Sequence, residues 1–344
     1  MTPLQQELLI ALVKVVVIFG ALLTLFSLMT YLERRLLAFM QFRLGPNRTG
    51  PLGLLQPLAD GVKLFFKEEL VPEGANKWLF IAAPAVAVVT AFLSMAVVPW
   101  GGPVTIGGRD ILLQIADLDV GILYIFAISS LGVYGIVLAG WSSNNKYTLM
   151  GGLRSAAQMF SYELALGLSW VGVIMIASSF RVADIVESQR GDWGLLHWNF
   201  LRQFVGFVVY VIAATAEVNR TPFDLAEAET ELVAGFHTEY SSMRFALLQM
   251  AEYVNMITVC AIGASVFFGG WLAPLPALQV VFGVDIGLLW FLLKLAAGLF
   301  FFVWLRGTLP RVRYDQLMHF GWKVLVPVGM LNIVGTAAWY AFFA

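Results

Sequence analysis

Apolar positions run in long unbroken blocks along this chain, and the polar positions gather between them. A membrane-spanning helix needs about 20 consecutive apolar residues. Eight blocks approach that length: roughly 8–32, 79–100, 120–141, 160–180, 202–217, 246–270, 287–305 and 324–343. The fifth is the shortest. The pattern predicts an all-α polytopic membrane protein with about eight transmembrane helices, forming a single integral-membrane domain over 1–344. An even number of crossings puts both termini on one side. The first block is too long for a signal-peptide core and lacks a basic region ahead of it, so it is expected to stay as a helix.

One polar-rich interval has its own period. In GLLQPLADGVKLFFKEEL, residues 53–70, helical spacing puts Leu55, Leu58, Val62, Phe65 and Phe66 on one face. Gln56, Asp60, Lys63 and Lys67 fall on the other. The segment is too polar to span and reads as an amphipathic helix lying at the interface, either a surface anchor or the wall of a portal from the lipid. Pro46, Pro51 and Pro57 argue against one helix continuous with the first block.

Charge then sets the orientation. The loops after blocks one, three, five and seven hold 15 Lys and Arg, and the opposite loops hold four, Arg109, Arg181, Arg190 and Arg202. The positive-inside rule makes the first set cytoplasmic, with loops 33–78, 142–159, 217–245 and 306–323, and puts both termini on the periplasmic side. Lys14 and Lys294 remain inside helices. Lys14 is near enough to an end to snorkel, whereas Lys294 is expected to face a partner or a polar cavity.

Composition narrows the chemistry. The chain is 60% hydrophobic and 12% charged, against about 25% charged in soluble domains. A net charge of -1 gives no basic field for nucleic acid. One cysteine, Cys260, excludes an iron–sulfur cluster on this chain, which needs about four ligands. His197, His237 and His319 lack metal-ligand spacing. No phosphate loop, nucleophile–base pair or metal motif is present. Gly101-Gly102 and Gly151-Gly152 read as turns.

The polar groups that break the apolar pattern are carboxylates. Acids within a span cost roughly 2.5–3.5 kcal/mol on insertion scales and mark ion or proton paths. Glu163 opens block four, Glu217 closes block five and Glu252 lies about two turns into block six, all in the expected cytoplasmic half. Between the last two lies EVNRTPFDLAEAETELVAGFHTEY, residues 217–240, with six carboxylates and one arginine. Thr221-Pro222-Phe223-Asp224 reads as a helix start, with Thr at the N-cap and Pro at N1. Asp224, Glu227 and Glu231 then share a face, while Glu229 points elsewhere. Clustered acids raise one another's pKa and hold protons near neutral pH, with Arg220 countering part of the charge. A solvated acidic loop and a docking surface for a partner subunit are the alternatives. The cations of 306–323 read as positive-inside anchoring or as a basic site for a partner protein.

Four stretches carry a family resemblance: ERRLLAFMQFRLGPNRTGPLGLLQPLADGVKLFFKE (33–68), GGLRSAAQMFSYE (151–163), AEVNRTPFDLAEAETELVAGFHTEYSSMRFALLQMAEY (216–253) and RGTLPRVRYDQLMHFGWK (306–323). They resemble the family of membrane proteins that includes the H subunit of bacterial NADH:quinone oxidoreductase, respiratory complex I, and mitochondrial NADH dehydrogenase subunit 1. The resemblance covers essentially the whole chain. It implies a membrane anchor for the peripheral arm, in contact with peripheral-arm subunits at the cytoplasmic loops and with other small membrane-arm subunits. It also implies a share of the quinone chamber, with Arg34, Arg35, Asp60 and Lys63 near the mouth, Gln249 and Met250 along the channel, and Arg306 nearby. Glu163, Glu217, Asp224, Glu227, Glu229, Glu231 and Glu252 map onto the polar path from the chamber into the membrane arm. Quinone is then the substrate, no cofactor is bound by this chain, and FMN and iron–sulfur clusters belong to other subunits. The expected location is a bacterial inner membrane. A membrane-bound hydrogenase subunit would share the fold but need no quinone portal, and a stand-alone transporter is disfavoured by the lack of an internal repeat. A purely structural anchor would tolerate neutralisation of Glu217 or Glu252.

Overall fold

Long apolar runs leave backbone groups no solvent partner in a bilayer, so they close their hydrogen bonds internally as helices. Helices dominate the computed structural model, which describes residues 3–106, 109–226, 229–281 and 284–343. In chain order they are α1 Pro3–Met40, α2 Gln56–Phe66, α3 Lys77–Ser94, α4 Gly121–Ser142, α5 Lys146–Ala177, α6 Val182–Glu187 and α7 Asn199–Arg202. After these come α8 Phe204–Glu217, α9 Glu229–Leu232, α10 Ser242–Phe267, α11 Gly287–Thr308, α12 Tyr314–Phe320 and α13 Val326–Phe343. A π-helical turn, Gly321–Leu325, joins the last two. Two short antiparallel hairpins lie in the loops, β1 Val104–Ile106 with β2 Arg109–Ile111 and β3 Val280–Val281 with β4 Val284–Asp285.

Among the described residues, seven helical stretches are long and apolar enough to cross a membrane. The eighth, α8, has 14 residues. That is ~21 Å of helix against a hydrocarbon layer of ~30 Å. The all-helical, polytopic expectation therefore holds, with the fifth segment short as its sequence suggested. The amphipathic segment forms α2, separate from α1, and Leu58, Val62, Phe65 and Phe66 on it are exposed.

Several boundaries differ from the sequence reading. The first helix does not stop near residue 32 but continues to Met40. The fourth begins at Lys146, capped by the Asn145 side chain, and not at 160. Gly151 and Gly152 are thus buried inside a helix and are not a turn. Their missing side chains allow contact instead. A Cβ on Gly151 would lie 2.8 Å from the backbone nitrogen of Phe236, and one on Gly152 would lie 3.3 Å from the Ile136 carbonyl oxygen.

The helix expected to start at Thr221 does not form, and residues 221–226 make turns. Its carbonyls are instead bonded to other parts of the fold. Pro222 O accepts from Val312 N at 3.1 Å, and Phe223 O accepts from the Gln158 side chain at 2.8 Å. Those acceptors are the ones a first helical turn would use. Gln158 also donates to Ala216 O at 2.8 Å, stitching the segment to the end of α8. Asp224 and Glu231 therefore share no continuous helical face.

The main core runs through α1, α4, α5, α8, α10 and α11, with Trp170, Tyr162, Phe267 and Phe291 fully enclosed. A second apolar cluster packs Phe80 of α3 in a stack on Tyr240, with Leu248 and Val254 of α10 beside them. Small residues let α3, α4 and α5 approach closely: a Cβ on Gly135 would meet the Ala87 backbone at 2.9 Å, and one on Gly140 would meet the Thr148 carbonyl oxygen at 2.6 Å. This packing fixes the loop before α10 against α5, where the charged groups converge.

Candidate functional site

The site starts from one buried carboxylate, Glu33, which the longer α1 holds inside the bundle, with its side chain 5% exposed. Such a charge persists only when paired and hydrogen-bonded. Glu33 has three partners from three parts of the chain. Arg220, in the loop after α8, lies 3.1 Å away, and Tyr253 of α10 donates its hydroxyl to the second oxygen at 2.7 Å. Arg306, at the end of α11, makes a close ion pair. Arg220 also pairs with Glu252 of α10 at 2.7 Å and lies over the Tyr253 ring, 4.5 Å from its centre. Burial disfavours the charge on Arg220, but Glu252 and Glu33 outweigh burial and hold the guanidinium above its ordinary pKa.

This cluster forms the inner wall of a cavity of about 630 Å³. The volume falls within the range of small-molecule sites. Phe26, Leu37, Leu64 and Phe65 give it an apolar side, and His237 and Tyr253 line it too. At its outer edge Arg34 of α1 pairs with Asp60 of α2 at 2.6 Å. Partial burial works against the Asp60 charge, but the hydrogen bond and charge of Arg34, helped by Gln56 and Lys63, keep its pKa below the usual carboxylate value.

The acids assigned to a path sort into three positions. Glu252 and Glu217 line one small cavity of about 40 Å³ together with Asn255. Glu217 and Asn255 also line a second of about 40 Å³, with Thr90, Ser94, Ser129 and Thr258. Each has room for water, which needs roughly 10–15 Å³ on this scale. Glu217 is buried, and its Oε2 has no hydrogen-bond partner among the described residues. Glu163 of α5 accepts a short hydrogen bond from Ser130 of α4 and is close enough to Glu217 to interact electrostatically. Arg220, on the large cavity's wall, thus contacts Glu252, and Glu252 borders the space that reaches Glu217.

Other sequence candidates stand apart. Glu231 pairs with Arg154 at 2.7 Å and is exposed. Asp224 lies in the turn segment, half-buried. Glu229 begins α9, and Glu227 lies outside the described residues. Of the residues carried over to the quinone site, Arg34, Asp60, Gln249, Met250 and Arg306 line the large cavity. Arg35 and Lys63 do not line it. Arg35 donates to the Leu52 carbonyl at 2.7 Å and to the Tyr31 hydroxyl, bracing the loop before α2, and Lys63 sits 3.5 Å from Asp60.

Sequence reasoning passed over Glu33, Tyr253, His237 and Asn255. Glu33 had a signal: an acid directly before Arg34-Arg35, followed by LLAFM, is a charge inside an apolar run. Ending the helix at 32 hid it.

The arrangement joins an apolar-walled chamber, a buried cation between two carboxylates, and acids reaching into the bundle. Among the described residues no cluster of His, Cys, Asp and Glu is suited to a metal ion. The NADH dehydrogenase family model matches residues 13–337. The chain is 50% identical over 337 residues to an H subunit of NADH-quinone oxidoreductase from Geobacter metallireducens, covering 98% of each chain. It is 52% identical over 330 residues to an H subunit from Geobacter sulfurreducens, covering 96% of each. With the H subunit from Syntrophotalea carbinolica it shares 50% over 332 residues, again 96% of each. Matched over most of its length by this family model and by relatives at about half identity, the chain belongs to the NADH dehydrogenase family.

Proposed function

We propose that the chain is the membrane subunit of a proton-translocating NADH:quinone oxidoreductase, in a bacterial inner membrane. It lines part of the quinone chamber where the peripheral arm meets the membrane arm, and its carboxylates couple quinone reduction to proton movement. Hydride and electron transfer run through FMN and iron–sulfur clusters on other subunits, and this chain supplies binding surface and charge. The observation that carries this reading is the contact of Arg220 with both Glu33 and Glu252, because it ties the cavity wall to the acids beyond it.

Reduction of a quinone by two electrons leaves negative charge until two protons arrive. A unit charge placed roughly 8 Å from Arg220 interacts with it by about 2 kcal/mol at an effective dielectric of 20. Each carboxylate in contact with Arg220 holds it by about 4 kcal/mol on the same scale, so the new anion polarises the Glu33–Arg220–Glu252 cluster without breaking either pair. Glu252 on the other side of Arg220 feels that change, and Glu217 responds through the small cavities between them. Charge is transmitted inward as the quinol is completed. The peripheral-arm subunits seat on the cytoplasmic loops, where exposed Glu231 and the basic residues of 306–323 offer paired charges.

The test compares inverted membrane vesicles from wild type, a strain lacking this chain and the complemented strain. NADH-driven quinone reduction is expected to vanish with the chain and return with it. Turnover that persists without the chain would reject the assignment.

A further inference from the structure

Lys294 is a charged group within a span that the quinone path leaves unused. It sits seven residues into α11, ~10 Å along the helix. Its ammonium turns back toward the end of the bundle that carries the α10 C-terminus. There it donates to the carbonyls of Gly270 at 2.8 Å and Leu272 at 2.6 Å, and lies 4.1 Å from the centre of the Trp198 ring. A lysine has three donors, so one N–H is left. Two carbonyl dipoles and an aromatic face hold this cation, with no anion paired to it among the described residues.

Beside it runs an apolar cavity of about 310 Å³ between α8, α10 and α11. Its walls are one stripe of each helix: 207–214 of α8, 259–264 of α10 with Phe268 just past its end, and 294–302 of α11. On each helix the stripe starts at the end where Lys294 sits and runs inward by about two turns, ~12 Å. The other polar groups along it are spent or weak. Tyr210 donates its hydroxyl to Val259 O at 2.6 Å, and Cys260 contributes a buried thiol. Lys294 is the one charge in the lining among the described residues, and no carboxylate faces it there.

We propose that this cavity is a binding site for one phospholipid, with the phosphate on Lys294 and an acyl chain along the slot. A cation at the level of the bundle end and an apolar groove descending from it match the two halves of that molecule. Phe204 and Val205 at the start of α8 and Leu293 next to Lys294 in α11 are exposed. A helix from another subunit would fill the apolar part but would have to bring a hydrogen-bond acceptor to the remaining N–H of Lys294.

The test uses the assembled complex, purified through a tag on this chain, with tightly held phospholipid counted by native mass spectrometry. Ala297→Trp fills the slot while keeping the lysine, and Lys294→Met removes the phosphate contact. Each is expected to retain one phospholipid fewer than wild type. Equal counts in wild type and Ala297→Trp would overturn the proposal. A second measurement needs no variant: wild-type complex in phosphatidylglycerol vesicles carrying a diazirine in the acyl chain is irradiated. Adducts are expected within 294–302 and 207–214. Adducts confined to other segments, or cross-links showing a neighbouring subunit's helix against Ala297, would also overturn it.

Discussion

Glu33→Ala is expected to lose quinone reduction and stability together. The substitution leaves Arg220, whose side chain is 8% exposed, facing an empty position beside Tyr253. Removing one member of a buried pair costs about 3–5 kcal/mol, because the other charge stays buried and uncompensated. Arg220 keeps Glu252, and Arg306 is 37% exposed and regains water, so the lower end, about 3 kcal/mol, is expected. NADH–quinone turnover should fall more than tenfold, and the complex should melt several degrees lower in detergent. Arg34→Ala is the contrast. Its pair with Asp60 is 55% exposed on the arginine side, and such pairs are worth about 0–1 kcal/mol. Equal melting temperatures for Glu33→Ala and wild type would show that Glu33 does not anchor the cluster.

Gly151→Val is the second large effect. Its Cβ would sit 2.8–2.9 Å from the backbone of Gly235 and Phe236. Backbone cannot swing aside as a flexible side chain can, and overpacking of this kind costs about 1–3 kcal/mol. The loop would lift from α5 and carry His237 away from the cavity wall. Turnover should drop severely, and amides of 235–240 should exchange faster with solvent. Gly20→Ala, with nothing within 4 Å of the added carbon, should leave both unchanged. Wild-type exchange rates at 235–240 in Gly151→Val would contradict the contact.

Much of this architecture is legible in the sequence because the bilayer permits few solutions. Apolar block length predicts the spans, and the period of 53–70 predicts the separate helix α2. The acids Glu217 and Glu252 stand out against an apolar background, and the structure brings both to the same small cavity. What the sequence hides is governed by tertiary contact. Gly151-Gly152 looks like a turn but is a helix surface that accepts another backbone. Thr221-Pro222 has the residues of a helix start, yet Val312 and Gln158 take the carbonyls a first turn would use. Glu33 and Arg220 are 187 positions apart, so no local pattern announces their pairing.

The most direct measurement is proton uptake alongside NADH-driven quinone reduction in inverted vesicles carrying Glu217→Gln. Glutamine keeps the size of the side chain and removes its ability to give up a proton. If the buried acids transmit the quinone's charge, both rates fall well below wild type while the complex stays assembled. Wild-type rates of both, from an assembled complex with Glu217 neutralised, would contradict the coupling role assigned to this path.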